Sequence, residues 1–553
     1  MDKKSSEEQP ETASGKRISH LNFGDVGYLY WALLILMILF TAVVRLRLLD
    51  IPLERDEGEF AYMGQLLLQG IPPYQISYNM KLPGIYAAYA LMMLVFGQTA
   101  AGIHLGLLVV NAATIVLVYL LTLRLFDRFT GLIAGCSFAI LSLSPTVLGS
   151  AAHATHFVIL FALAGILVLL KSMESGKTNF LLFSGFLSGL SILMKQPGLF
   201  FCLFSLLYLL FTLYRRPDAS FRMYVKQTGL FLAGAVVPIA MTCVYLYLSG
   251  VFDKFWFWTF SYAYQYVAET SFSQGILEFK INMVEVIGKL YLFWFFAAVG
   301  IGFLFREKAF KAQMPFVLGL FLISFLAVCP GLIFRSHYFV LLLPSLSLLL
   351  GVAAGGSRRW LMSRQPRFQF IPAIVFTVMV LLVVFQYRAF FFEWTPNQTS
   401  RALYALNPFP ESVEIASYIK AHTAESDRIA VIGSEPQIYF YANRHSATGY
   451  IYTYPLMEEQ KYARQMQREM IDEVEKAKPR YLVFVGVASS WMIRPSSDRH
   501  IFRWFGEYSR KEYEPVGFVD LGHSQQIQYR WGDEAKFYIP ESPVYLLVCK
   551  RRG

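Results

Sequence analysis

Residues 28–59 read YLYWALLILMILFTAVVRLRLLDIPLERDEGE, an apolar run long enough to cross a bilayer, followed directly by a carboxylate cluster. No small-residue cleavage site follows the run, so we interpret it as a retained transmembrane helix rather than a removed signal peptide. Charged side chains held against a membrane are costly, and those that are kept there usually serve a function. The cluster at residues 54–59 is therefore the first candidate for a functional site.

The composition indicates an integral membrane protein that carries a soluble part. Of the 553 residues, 56% are hydrophobic and only 16% are charged. The formal net charge is +11, but the basic residues fall in short loops between apolar runs. Basic residues in such loops orient a chain in the membrane, so no nucleic-acid partner is expected. The five cysteines are scattered and form neither a disulfide framework nor a CxxC metal-binding pair.

The apolar runs predict a polytopic α-helical membrane protein with about eleven transmembrane helices. These spans fall at about residues 28–49, 104–126, 130–149, 154–171, 179–194, 197–214, 227–249, 286–305, 315–334, 337–355 and 370–390. We predict three units along the chain. They are a disordered cytoplasmic tail (1–27), a transmembrane domain (28–390) whose first external loop is 50–103, and an extracytoplasmic soluble domain (391–553).

One apolar segment, residues 84–99, is short for a membrane span. If it does not cross, the basic loops between the other spans all lie on the cytoplasmic side; if it crosses, they all lie outside. We therefore predict a juxtamembrane or re-entrant helix. This assignment places the C-terminus and the candidate site residues on the external face.

The soluble end has the pattern of a small α/β domain. Alternating apolar residues at 428–433 and 481–486 predict strands, and helical patterns at 412–421 and 458–478 give the order helix, strand, helix, strand. The segment Gly433-Ser434-Glu435-Pro436 follows the first strand and could bind a ligand at its carboxyl end. Since no dinucleotide or phosphate-loop fingerprint is present, we interpret the domain as binding or structural.

Asp56 and Glu57 have two interpretations. They could be acidic residues in the first turn of a helix, where they complement its dipole. Alternatively, one carboxylate is a general base that deprotonates a hydroxyl group, and its neighbour orients the substrate or a cation. A semi-apolar setting would raise the pKa of such a base toward its working range.

Lys81 precedes Leu82-Pro83-Gly84 and could extend outward from the start of an interfacial helix. A lysine at an external helix start, however, opposes both the helix dipole and the positive-inside bias, so it needs an anionic partner such as a lipid phosphate. Lys195, in Lys195-Gln196-Pro197-Gly198 between two spans, could belong to a tight loop whose Pro197 begins the next helix; as a lone external lysine it could instead need an anionic partner, like Lys81.

Two further clusters lie in turns between spans. His153 and His156 have a spacing that suits a metal or substrate site, but without a nearby carboxylate they could equally be structural. Arg335, His337 and Tyr338 place a guanidinium, an imidazole and a phenol in one turn. The planar guanidinium suits a phosphate, whereas an interfacial tyrosine is also an ordinary membrane anchor.

These motifs resemble those of the C-type (GT-C) membrane glycosyltransferases, in particular the protein O-mannosyltransferase-like group and the similar enzymes that transfer aminoarabinose onto lipid A. The resemblance covers about residues 28–390. It rests on Arg55-Asp56-Glu57-Gly58 after the first span, Lys81-Leu82-Pro83, residues 111–126, Lys195-Gln196-Pro197, and His337-Tyr338 ahead of Leu341-Leu342-Leu343-Pro344.

The resemblance implies a catalytic base at Asp56 with Glu57 as its acidic neighbour, and a lysine at position 81 that binds the donor's phosphate. Lys195, Arg335, His337 and Tyr338 would assist at that phosphate. The chain departs from the family where some relatives carry an acidic residue after the third span, because His153 and His156 stand there. A second catalytic carboxylate and a divalent metal therefore stay open, and no other cofactor is implied.

The expected reaction is inverting transfer of one sugar from a polyprenyl-phosphate donor to a hydroxyl acceptor at the outer membrane face. The acceptor could be a protein, a glycolipid or a glycan, and membrane lipids would surround the site. A transporter or flippase for a lipid-linked saccharide and a non-catalytic cell-envelope scaffold are the alternatives. No retention signal or long eukaryotic-type insertion is visible, which favours the bacterial inner membrane.

Overall fold

The computed structural model describes residues 27–268, 270–522 and 527–553. The disordered tail predicted at 1–27 lies outside these residues except for Gly27, where the first helix begins. The membrane part is built from helices α1 (Gly27–Arg47), α2 (Arg55–Leu68), α3 (Gly84–Phe96), α4 (Ala100–Leu125), α5 (Arg128–Leu143), α6 (Ala154–Ser175), α7 (Asn179–Met194), α8 (Gly198–Tyr214), α9 (Phe221–Leu248), α10 (Phe252–Trp256), α11 (Ala263–Ala268), α12 (Phe272–Ile287), α13 (Tyr291–Arg306), α14 (Met314–Val328), α15 (Leu343–Arg364) and α16 (Ile371–Gln386). Short 3-10 turns and a π-helical segment, Phe257–Tyr262, connect some of them.

The helices confirm a multi-pass membrane protein. In the described part of the chain, eight helical stretches are long and apolar enough to cross a bilayer: Gly27–Arg47, Ala100–Leu125, Ala154–Ser175, Phe221–Leu248, Phe272–Arg306, Lys311–Val328, Ser336–Arg364 and Pro366–Gln386. Three other predicted spans coincide with α5, α7 and α8, which have only 16, 16 and 17 residues. A perpendicular span needs about 20 residues, so the count of eleven stays a prediction.

The short apolar segment folds as α3, a helix of 13 residues. At 1.5 Å per residue it is about 20 Å long, which is less than the roughly 30 Å thickness of a hydrocarbon core. It packs on α2 through the rings of Phe60 and Tyr89, whose centroids lie 5.3 Å apart. The Tyr89 hydroxyl donates to the Ala152 carbonyl at 2.8 Å, so α3 also holds the turn before α6.

The soluble domain combines helices with one mixed sheet, as its sequence pattern predicts. Its helices are α17 (Pro396–Tyr404), α18 (Phe409–Ala421), α19 (Gln437–Ala442), α20 (Tyr454–Met457), α21 (Ala463–Ala477), α22 (Ala488–Trp491), α23 (His500–Glu512) and α24 (Asp533–Lys536). Its strands are β1 (Arg428–Ile432), β2 (His445–Ser446), β3 (Tyr481–Gly486), β4 (Tyr513–Asp520), β5 (Gln528–Trp531) and β6 (Tyr545–Arg551), in the order β2-β1-β3-β6-β4-β5. Strands β2, β1 and β3 are parallel, and the remaining pairs are antiparallel.

The soluble domain packs directly on α2. The rings of Tyr62 and Tyr439 stack with centroids 5.2 Å apart, and the backbone N–H of Ser446 donates to the Tyr62 hydroxyl at 2.8 Å. On the same side, the Leu53 N–H donates to the Tyr441 hydroxyl at 2.8 Å. Buried apolar residues of both parts therefore form one continuous core, and the domain closes one end of the helical bundle.

Gly58 permits this close packing. A Cβ at position 58 would lie 2.6 Å from the Cβ and 2.7 Å from the backbone nitrogen of Gln437 in α19. We expect Gly58→Ala to lower the free energy of unfolding by about 1–3 kcal/mol, because α19 must move away from α2. Chemical unfolding in detergent micelles measures this loss. Gly229→Ala is the matched control, since a Cβ there meets no atom within 4 Å; equal stability of the two variants would contradict the account.

Candidate active site

The carboxylate cluster forms the start of α2. Glu54 is the N-cap, and its carboxylate accepts the Glu57 N–H at 2.9 Å while the Glu57 carboxylate accepts the Glu54 N–H at 3.3 Å. This reciprocal capping box fixes the first helical turn. Because successive residues of a helix point about 100° apart, Asp56 faces the interior of a cavity and Glu57 does not line it.

Asp56 is paired with the predicted phosphate-binding lysine. Lys81 Nζ lies 2.7 Å from Asp56 Oδ1 and 2.9 Å from Glu59 Oε2, so one ammonium bridges two carboxylates. Glu59 is fully buried and also accepts from Asn79 Nδ2 at 2.7 Å and from the Tyr86 hydroxyl at 2.9 Å. With its oxygens satisfied in this way, Glu59 holds Lys81 in place while Asp56 stays partly open to the cavity.

The charges around Asp56 control its protonation. The expectation that the setting raises the pKa of this carboxylate is wrong for Asp56. Burial alone would raise its pKa, but the Lys81 ammonium outweighs that effect and holds the pKa of Asp56 well below its ordinary value. Glu54 behaves in the opposite way: burial and the nearby carboxylates of Asp56 and Glu57 raise its pKa to about 8. The two carboxyl groups therefore differ in proton affinity, which is low at Asp56 and high at Glu54.

Glu57 is used for structure. Its Oε1 accepts the Ala152 N–H at 2.6 Å and lies 3.1 Å from His104 Nε2, while His104 Nδ1 is 2.6 Å from the Leu49 carbonyl oxygen. These bonds connect α2 to the turn before α6, to α4 and to the end of α1. The carboxylate of Glu57 therefore faces protein groups rather than the cavity, and its role as the catalytic neighbour of Asp56 stays a prediction.

The two predicted histidine clusters meet at Asp56. The rings of His153 and His337 stack with centroids 4.0 Å apart and an interplanar angle of 11°. His156 is buried within α6 and does not line the cavity, and its Nε2 has no hydrogen-bond partner among the described residues. The sequence placed His153 next to His156, whereas the fold pairs it with a residue almost two hundred positions later.

Asp56, His153 and His337 could hold a divalent metal. Their ligand atoms lie within 4.8 Å of one another, and within the described ranges both ring nitrogens of His153 are buried without a hydrogen-bond partner. Burial lowers the pKa of His153 to about 4, so its imidazole is neutral and able to ligate. One carboxylate and two imidazoles fit a zinc-type set of ligands, although a metal would compete with Lys81 for Asp56.

Lys195, Arg335 and Tyr338 line the same cavity. Lys195 Nζ lies 3.9 Å from the centroid of the Tyr338 ring, a cation–π contact. In the described part of the chain, neither Lys195 nor Arg335 forms an ion pair with a carboxylate. Burial lowers the pKa of Lys195 to about 7, so an anionic ligand would stabilise its charged form.

The cavity has a volume of about 350 Å³ and lies between the bundle and the soluble domain. The membrane part supplies seven of the nine predicted site residues, all except Glu57 and His156, together with the apolar side chains of Ala327, Val328 and Leu341. The soluble domain supplies residues that the sequence gave no reason to single out: Tyr404, Asn407, Phe409, Tyr452, Tyr454, Pro455 and Glu458. Of these, the Tyr452 hydroxyl reaches Asp56 Oδ1 at 3.3 Å.

Arg55 connects the two halves of the cavity. Its guanidinium forms a 2.7 Å ion pair with the fully buried Glu435 and donates to the Ser434 carbonyl at 2.6 Å and to the Tyr454 hydroxyl at 2.9 Å. Ser434 and Glu435 belong to the segment that we considered as a ligand site. In the structure this segment binds Arg55, which places the soluble domain against Asp56.

The comparisons with known proteins agree with this architecture. Residues 81–247, less than half of the chain, match the family model of dolichyl-phosphate-mannose-protein mannosyltransferases. No curated protein matches the chain by sequence. The structure of ArnT from Cupriavidus metallidurans bound to undecaprenyl phosphate is similar with a TM-score of 0.53 and 16% identity, covering 82% of this chain and 93% of ArnT.

Two other solved structures are similar. The apo state of the same ArnT gives a TM-score of 0.52 at 14% identity, covering 94% of this chain and 98% of ArnT. Archaeal oligosaccharyltransferase AglB from Archaeoglobus fulgidus, in complex with an inhibitory peptide and a dolichol-phosphate, gives 0.50 at 13% identity, covering 93% of this chain and 75% of AglB. At such low identities the likeness shows the fold.

The chain is a multi-pass membrane protein with the fold of the C-type glycosyltransferases. The resemblance drawn from its motifs is thereby confirmed. The family match and the fold together support a membrane glycosyltransferase that uses a lipid-phosphate-linked donor.

Proposed function

We propose that the protein transfers a single sugar from a polyprenyl-phosphate donor to a hydroxyl acceptor, with Asp56 as the general base. The observation that carries the proposal is one cavity in which the Asp56 carboxylate lies with three basic side chains, Lys81, Lys195 and Arg335. Such a site suits a reaction in which a hydroxyl loses a proton while a phosphate leaves.

In the proposed reaction, the acceptor oxygen attacks the anomeric carbon on the face opposite the phosphate. The new oxygen–carbon bond forms as the bond from that carbon to the phosphate oxygen breaks, which inverts the configuration. The acceptor proton passes to Asp56, and the phosphate leaves with the bonding electrons. Lys81, Lys195 and Arg335 stabilise that negative charge, with His337 and Tyr338 beside them. A phosphate is a weak base, so no general acid is needed.

The lipid-phosphate donor is supported by the membrane setting of the cavity. Its lining includes apolar residues of the bundle, along which an isoprenoid chain could lie while its head group reaches Asp56. The similar ArnT and AglB structures contain undecaprenyl phosphate and a dolichol-phosphate, respectively. We propose, from the positive-inside bias of the opposite loops, that the cavity and the soluble domain are extracytoplasmic. We also propose a bacterial inner membrane, which the sequence favours because no retention signal or long eukaryotic-type insertion is visible.

A panel of polyprenyl-phosphate sugars, each labelled in the sugar, tests the proposal with purified protein in liposomes. A membrane extract provides the acceptors. We expect label from one donor to appear on an extract component, which would also identify the sugar. Movement of a labelled donor between leaflets without any transfer would instead support the alternative of a flippase; neither transfer nor movement would favour a scaffold.

Donor binding is expected to weaken as the pH rises above about 7, because Lys195 then loses its proton. Because burial lowers this pKa, Lys195 of the free enzyme is fully charged only below that pH. Above it, Lys195 must take up a proton before it can pair with the donor phosphate. The donor KM should rise by up to about tenfold per pH unit above the pKa. Lys195→Arg keeps the charge at every pH, so the donor KM of this variant should not change with pH. A donor KM that still rises above pH 7, as in the wild type, would rule out Lys195 as the cause.

A further inference from the structure

A second cavity, of about 610 Å³, lies beside the first and is not used in the proposed chemistry. It forms where three parts of the chain meet: the first loop, the segment from α10 into the π-helical turn, and helix α21 with its neighbours. We call it the acidic groove. Its lining residues are Tyr78, Asp253, Lys254, Phe257, Trp258, Tyr450, Tyr462, Gln465, Met466, Glu469, Asp472 and Glu473.

Aromatic rings form the walls of the acidic groove. Tyr78 and Trp258 stack with centroids 5.9 Å apart, and Tyr450 meets Tyr78 edge-on at 5.4 Å. Phe257 and Tyr462 form a second pair at 5.1 Å. Trp258 and Tyr450 are almost fully buried, so the partly exposed rings of Tyr78, Phe257 and Tyr462 provide the apolar platform on which the C–H face of a pyranose ring can rest.

Carboxylates surround these rings. Glu473 accepts from the Tyr78 hydroxyl at 3.0 Å and from Thr448 and Gly449 at 2.7 and 2.8 Å, which fixes the platform. The Asp472 carboxylate forms no hydrogen bond or ion pair within the described residues and is exposed at the rim. Carboxylate oxygens next to aromatic faces can accept hydrogen bonds from sugar hydroxyls or from an ammonium group.

The charge of the acidic groove selects against anions. Its lining holds four carboxylates and one lysine, and Lys254 is held at 2.7 Å from the Tyr78 hydroxyl and over the Tyr78 ring. The neighbouring cavity, by contrast, presents Lys81, Lys195 and Arg335 to a phosphate. Two adjacent cavities of opposite charge suit two substrates of different charge.

The acidic groove is close to the reacting end of the first cavity. Trp258 of the groove contacts Tyr262, which lines the first cavity, with ring centroids 5.1 Å apart. Tyr78 precedes Lys81 by three residues, so their Cα atoms are at most about 10 Å apart. A chain of sugar units seated in the groove could therefore extend its terminal unit toward Asp56.

We infer that the acidic groove is the acceptor subsite and binds a saccharide chain that carries no negative charge. This inference rests on the proposed function and names its acceptor class as a neutral or amino-sugar glycan. The aromatic faces supply affinity for the sugar rings, the carboxylates bind hydroxyl or ammonium groups, and the net charge excludes uronates and phosphorylated glycans.

Calorimetric titration of the full protein in nanodiscs tests the inference with four probes: chitotetraose, its fully deacetylated form, tetragalacturonate and tetralysine. We expect the first two to bind, the deacetylated form more tightly because of its ammonium groups, and tetragalacturonate not to bind. Tyr462→Ala should weaken chitotetraose binding by about tenfold, and Asp472→Asn should reduce the preference for the deacetylated form. Trp256→Ala is the matched control, since this exposed ring lies outside the groove.

Equal binding of all three saccharides, binding of tetralysine alone, or no effect of the groove variants would overturn the inference. The transfer assay separates it from the proposed function. Groove variants should raise the acceptor KM and leave the donor KM unchanged. If the wild type transfers sugar and these variants behave like it, only the acceptor subsite is wrong; if the wild type transfers nothing, the proposed function fails and the titrations still decide whether the groove binds saccharides.

Discussion

Replacing Asp56 by Asn is expected to lower the rate constant for sugar transfer by a factor of about 10²–10⁴, which is the usual contribution of a general base. The amide keeps the size of the side chain but cannot accept the acceptor proton. Because Lys81 still has Glu59 at 2.9 Å, it should stay in the cavity, and donor binding should persist. Single-turnover kinetics with saturating donor, together with equilibrium donor binding, separate the two effects.

Glu57→Gln is the matched control for this variant. It neutralises the adjacent carboxylate, which faces His104 and the Ala152 N–H rather than the cavity. We expect this variant to be less stable than the wild type. Its rate constant for sugar transfer should fall far less than that of Asp56→Asn. If both variants lower the rate equally, or if Glu57→Gln has the larger effect, the assignment of Asp56 as the base is wrong.

The second large effect is expected at the contact between bundle and soluble domain. Arg55→Met should lower the free energy of unfolding by about 3–5 kcal/mol, because it leaves the buried Glu435 carboxylate without its partner. The soluble domain should also detach more readily from α2. Chemical unfolding measures the loss, and hydrogen exchange at α19 reports the detachment.

A double variant distinguishes the ion pair from simple packing. Arg55→Met combined with Glu435→Gln removes the unpaired charge, while the new amide can still bond to Ser490, whose hydroxyl donates to Glu435 Oε2 at 2.6 Å. It should therefore be more stable than Arg55→Met alone. Equal stability of the single and double variants would show that Arg55 acts through its packing on Phe409 and Tyr454, over whose rings it lies.

Much of the fold could be predicted from the sequence because a bilayer imposes length. Apolar runs near twenty residues had to be helices, and strands β1 and β3 stood out by alternation in a polar background. Helix boundaries were harder. The span predicted at 286–305 is part of a longer helical stretch that begins at Phe272. The sequence pattern does not reveal this start, because residues 272–285 include Glu278 and Lys280 and are more polar than a typical membrane helix.

The local parts of the site were predictable, and its distant parts were not. Asp56 and Lys81 stood out because each is a charge next to the membrane. Glu59 could have been found, since it lies one helical turn after Asp56 on the same face of α2. Nothing in the sequence connects Arg55 with Glu435 or Asp56 with Tyr452, because almost four hundred residues separate them and only tertiary packing brings them together.

The histidines show the same limit in another way. Sequence spacing paired His153 with His156, as neighbours on one helix face. The chain instead turns at His153, the N-cap of α6, so that its ring stacks on His337 beside Asp56. The spacing of residues along the sequence could not reveal the pair of His153 and His337. An N-cap residue has a non-helical backbone, so its side chain does not follow the spacing of the helix that it precedes.

The most direct test of the account is a single turnover with the identified donor labelled twice, with carbon-14 in the sugar and phosphorus-32 in the phosphate. Wild-type protein should produce labelled acceptor and free labelled polyprenyl phosphate in equal amounts, and Asp56→Asn should produce neither at a comparable rate. Release of both labels together on one molecule, or equal transfer by the two proteins, would contradict a lipid-phosphate glycosyltransferase with Asp56 as its base.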